Sequence, residues 1–114
     1  MSEFASALLI QPDFPDALAA LAWILATAQA ADFRNGPEAV RMAERACELT
    51  GRKDPKKVKV LASAYAEAGR FDEAVVEAEA AQILASNLRD DHLARDCRLM
   101  SESFRAGKPW REDF

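Results

Sequence analysis

AYAEAGRFDEAV, residues 64–75, places four small side chains within two helical turns, breaks at Gly69 and then begins a second apolar pattern. A chain of 114 residues needs a core, and leucine would bury more area than alanine at these positions. The choice of alanine is therefore informative about how closely the elements must approach. Alanine and leucine dominate the apolar residues throughout. β-Branched residues are sparse outside short stretches such as Val58–Val60 and Val75–Val76, a bias that favours helix.

The chain is also similar to itself. Shifted by forty residues, Leu21-Ala22-Trp23-Ile24-Leu25-Ala26-Thr27-Ala28 lies over Leu61-Ala62-Ser63-Ala64-Tyr65-Ala66-Glu67-Ala68, and Pro15 lies over Pro55. Further along the offset becomes thirty-five, with Glu38-Ala39-Val40 over Glu73-Ala74-Val75. A pair of helices thus recurs, the first copy carrying five extra residues in its turn. Repetition of one supersecondary unit at such a period points to a solenoid.

Val58-x-x-Leu61-Ala62-x-x-Tyr65, then Gly69, then Ala74-x-x-x-Ala78-x-x-Ala81 resembles one tetratricopeptide repeat. Leu18-x-x-Leu21-Ala22-x-x-Leu25 followed by Ala39-x-x-x-Ala43-x-x-Ala46 resembles another. Upstream, Phe4-x-x-Ala7-x-x-x-x-Pro12 is similar to the second helix of a repeat lacking its first. The likeness covers residues 3–86, with departures at Leu18 and Val58, where the family has tryptophan, and at Ala43 and Ala78, where it has a larger aromatic. It implies an all-α, right-handed superhelix of about six helices in a single domain spanning 1–114. The expected parts are a partial repeat (3–12), a repeat with an extended turn (14–50), a second repeat (54–86), a capping helix (87–107) and a tail (108–114). FRAGKPWRE, 104–112, also resembles the way such arrays end in some long bacterial proteins.

The alanines then read as spacers. Paired helices approach to about 8–10 Å depending on the side chains at the crossing, so Ala62 and Ala74 let the two helices touch while Leu61 and Tyr65 fill the flanks. Ala62→Leu is expected to overpack the crossing at a cost of about 1–3 kcal/mol. Gly69 and Thr50-Gly51 are helix stops, and Gly107 with Pro109 ends the last helix. Asp13 and Asp54, each followed within two positions by a proline, are helix starts, as is Asn35-Gly36-Pro37. Asn87-x-x-Asp90 has the form of a cap opening the final helix, whose stripe is Leu93, Cys97, Met100 and Phe104.

Little suggests enzyme chemistry. The sequence contains one histidine, His92, and neither a Gly-rich phosphate loop nor a nucleophile–base pair, so no cofactor, metal or catalytic residue is expected. A net charge of −4 disfavours general nucleic-acid binding. The longest apolar run, Ala17–Ala26, is about half of what spans a bilayer. No signal peptide is evident, Cys47 and Cys97 fit small buried thiols, and a reducing, cytoplasmic setting is expected.

The resemblance implies a non-enzymatic protein-interaction module whose first helices line a concave groove for a peptide or helix. The positions it assigns there are Asp16, Ala19, Trp23 and Thr27 in the first pair and Lys56, Lys59, Ser63 and Glu67 in the second. Trp23 reads as an apolar anchor or as core. Lys56 and Lys59, with Arg52, Lys53 and Lys57 nearby, favour an acidic ligand. Of the lysine and asparagine set that some members use to hold a peptide carboxylate, only Lys59 matches, so that activity is not implied. The alternatives are a structural spacer or oligomerisation segment, with weak self-association through Phe4, Leu8 and Ile10, and the substrate-presenting part of a larger bacterial glycosyltransferase-like protein.

Overall fold

The computed structural model describes residues 14–112. Within them the chain forms five α-helices: α1 (Pro15–Thr27), α2 (Gly36–Leu49), α3 (Pro55–Glu67), α4 (Phe71–Asn87) and α5 (Asp91–Arg105). A short 3-10 turn, Ala31–Phe33, lies in the extended connection between α1 and α2. The expected helix at 3–12, with its Phe4, Leu8 and Ile10, falls outside the described residues, as does Asp13.

Local chemistry explains most boundaries. The Asp54 carboxylate accepts from the Lys56 amide at 3.0 Å and caps α3, and Asn35 accepts from the Glu38 amide at 3.2 Å and caps α2. Prolines occupy first-turn positions of α1, α2 and α3, where a missing N–H costs nothing. Gly51, Gly69 and Gly107 take positive φ after α2, α3 and α5. The final helix starts later than the sequence suggests. Asn87 is the last residue of α4, Arg89 turns the chain at φ 60°, and Asp90 is the cap, accepting from the Leu93 amide at 3.1 Å. Capping at Asp90 leaves Asn87 free to complete the preceding helix.

Each helix packs on the next, and α1 additionally lies along α3. Lys57 at the start of α3 reaches Asp16 at the start of α1, while Arg111 contacts both Ala26 near the end of α1 and Glu67 at the end of α3. The two helices therefore run in the same direction side by side. α5 packs against α4 and touches α3 more lightly.

The core is built around alanines. Ala22, Ala39, Ala43, Ala46, Ala62, Ala74, Ala81 and Ala85 are fully buried, and Leu61, Val58, Met100 and Phe104 supply its bulk. The whole expected stripe of α5, including Cys97, is buried, and Cys47 on α2 is likewise a buried free thiol. The close approaches reach one residue whose role the sequence did not reveal. A Cβ at Gly36 would stand 2.8 Å from both Cα and N of Ala68, so the first turn of α2 fits against the end of α3 only without a side chain. Gly36→Ala should cost about 1–3 kcal/mol in urea denaturation, through overpacking against backbone. A change within about 0.5 kcal/mol would show that this contact yields freely.

Candidate functional site

The parallel run of α1 and α3, with the first turn of α5 beside it, leaves an open hollow of about 270 Å³. Ala19, Ala20 and Trp23 line it from α1, Lys56, Lys59 and Val60 from α3, and Leu93 from α5. Alanines at 19 and 20 keep the floor low, so the half-buried Trp23 indole forms the wall. The Lys59 ammonium lies over that ring, 4.6 Å from its centroid. This is cation–π range, and it fixes both side chains on one face. Trp23 also packs on the core, so it joins the packed interior to the hollow. Lys56 is exposed one turn away.

The other residues assigned to the groove divide sharply. Thr27 and Ser63 are both 0% exposed. Thr27 Oγ1 donates to the Trp23 carbonyl at 2.6 Å, and Ser63 Oγ donates to the Lys59 carbonyl at 3.2 Å. Hydroxyls that bond back to their own helix in this way are not available to a ligand. Asp16 is exposed but paired with Lys57. Glu67 is only 17% exposed and sits between two arginines, Arg111 Nη1 at 2.7 Å and Arg34 Nε at 3.7 Å.

The basic patch is correspondingly smaller than its sequence implies. Arg52 pairs with Glu77, whose hydrogen bond holds the guanidinium charge firmly. The Lys57 side chain is 13% exposed and bonded to Asp16 and Asp54. Burial opposes its charge, but these two carboxylates outweigh burial and raise its pKa. Lys53, Lys56 and Lys59 make no ion pair with a carboxylate among the described residues, and of these Lys56 and Lys59 line the hollow.

A second hollow of about 320 Å³ is lined by Tyr65, Asp72, Glu73, Val76 and Glu77. Several of its polar groups are already engaged: Tyr65 donates to Glu44 at 3.0 Å, Glu73 accepts from Arg70 and Glu77 accepts from Arg52. It offers a ligand less than the first does.

Sequence reasoning missed Leu93 and Val60 as lining residues, and missed the arginines on Glu67. Leu93 was legible as apolar, but its sharing between core and hollow depends on how α5 meets α3. Among the described residues no group of three or more histidine, cysteine, aspartate or glutamate side chains could hold a metal ion. Nor is any described helix long and apolar enough to cross a membrane. No protein-family model, curated protein or solved structure matches the chain.

Proposed function

We propose that this chain is a tetratricopeptide-type helical array, a right-handed superhelix, that binds an acidic peptide in the groove between α1, α3 and α5 and performs no catalysis itself. The array reading is supported by the repeated pattern of packing, in which each helix meets its successor and α1 runs parallel to α3. The binding reading rests chiefly on one observation: a partly buried Trp23 held by Lys59 beside Lys56, in a hollow floored by small side chains. Tryptophans placed in this way dominate the energetics of many interfaces. Two lysines on a chain of net charge −4 would select acidic partners more by encounter rate than by affinity.

Selection from a random displayed peptide library provides the test. The parent chain should enrich peptides combining an apolar residue with neighbouring aspartate or glutamate. Lys56→Glu with Lys59→Glu should weaken the enriched peptides about tenfold or more and flatten their salt dependence, because the steering field is removed. Enriched peptides that bind this variant like the parent would defeat the proposal.

A further inference from the structure

The end of α1 is capped differently from the other helices. α2, α3 and α5 are each followed by a glycine at positive φ, whereas α1 passes into Ala28 at φ −58° and ψ 136°. Its last carbonyls would lack partners. They are instead reached by the connection that follows α1 and by a distant segment of the chain. The Asn35 amide donates to Leu25 at 2.8 Å and Arg34 Nη1 donates to Ala28 at 3.2 Å. The other two donors come from the segment beyond α5: Arg111 Nη1 to the Ala26 carbonyl at 3.4 Å and the Glu112 amide to the Thr27 carbonyl at 2.8 Å.

That segment is a short extended strap. Gly107 turns the chain, Lys108 and Ser103 bond reciprocally at 3.0 Å, and Trp110 packs on the core. Arg111 then reaches Glu67, and Glu112 pairs in parallel with Ala28 as in a one-residue sheet. The place it fills has a definite chemistry. Two helix-terminal carbonyls and a largely buried carboxylate face it, all acceptors, at a helix end where partial negative charge favours a cation.

We infer that the ends of α1 and α3 form a second subsite, specific for an extended segment bearing an aromatic residue followed by arginine, and that residues 108–112 occupy it in cis. The subsite lies at the opposite end of α1 and α3 from Lys56, and has the opposite charge preference. A partner crossing both would be acidic over Lys56 and Lys59 and basic over Glu67, and would have to displace the strap. The inference rests on the groove reading only in this last step, since the strap contacts stand without it.

The test uses the full chain and a labelled, acetylated and amidated hexapeptide of sequence Gly107–Glu112. In the parent the strap competes at high effective concentration, so the peptide should bind weakly. Trp110→Ala with Arg111→Glu should release the strap, placing Glu beside Glu67, and tighten peptide binding about tenfold or more by exposing the subsite. The same peptide with alanine at both the Trp and Arg positions should not bind. Adding Lys56→Glu and Lys59→Glu should leave hexapeptide binding unchanged, which separates this result from failure of the acidic groove. Equal binding to parent and strap variant, no saturable binding to the variant, or equal binding of the alanine peptide would each overturn the inference. A readout independent of the variant is the Trp110 indole N–H resonance of the parent. It should move as unlabelled hexapeptide is titrated in, and a resonance unmoved at saturation would also overturn the inference.

Discussion

Phe104→Ala is expected to destabilise the chain by about 3–5 kcal/mol, a large share of what a domain of this size has to lose. The ring is 1% exposed, on the α5 stripe that also buries Cys97 and Met100. A helix that merely shields the end of a solenoid could lose such a side chain cheaply. This one cannot, because α5 packs along α4 and also supplies Leu93 to the hollow. Leu99, exposed on the other face of α5, provides the comparison: Leu99→Ala should change stability by less than about 1 kcal/mol. Urea denaturation of both variants checks the pair. A Phe104→Ala cost below about 1 kcal/mol would mean that α5 is peripheral to the core.

The second large effect is alkaline lability. Burial pushes Cys47 and Cys97 from an ordinary thiol value of 9.0 up to about 11. Burial, followed by the hydrogen bond to Glu44, pushes Tyr65 from 10.0 up to about 12. In each case the folded chain retains a proton that the unfolded chain releases. Their contribution is fully present below the unfolded values and is lost as pH rises through the folded ones. Stability should therefore hold to about pH 9 and fall between about pH 9 and 12, each thiol accounting for roughly 2–3 kcal/mol. At pH 8 both thiols should resist a thiol reagent until the chain is unfolded in urea, since only thiolate reacts. Unfolding free energies that stay flat to pH 11, or thiols that react within seconds when native, would contradict this.

Much of the fold was legible because its determinants are local. Asp54, Gly51, Gly69 and Gly107 act through neighbouring backbone, and the alanines that recur along the sequence are the ones buried between packed helices. The features that escaped are those joining distant segments. Gly36 meets the backbone of Ala68, and Glu67 is held by Arg34 and Arg111. Neither has a periodic signature. The positions assigned to a groove scattered for a related reason. The resemblance pointed to Trp23, Lys56 and Lys59, which line one hollow, but also to Thr27 and Ser63, which are buried. A small hydroxyl in mid-helix can satisfy itself on the carbonyl four residues back, so its polarity says nothing about exposure. Likewise a run of basic residues overstated the field, because Arg52 and Lys57 meet carboxylates on other helices.

The proposed groove has a rival surface on α4. Val76 and Ile83, one heptad apart, are 63% and 62% exposed, as a spacer or oligomerisation segment would require. Amide hydrogen exchange with and without a library-selected peptide distinguishes the two faces directly. Slower exchange across Ala19–Trp23, Lys56–Val60 and the start of α5, with residues 76–83 unchanged, is the result expected here. Protection confined to 76–83, with α1 and α3 exchanging as in the free chain, would contradict the groove and move the interaction to the outer face of α4.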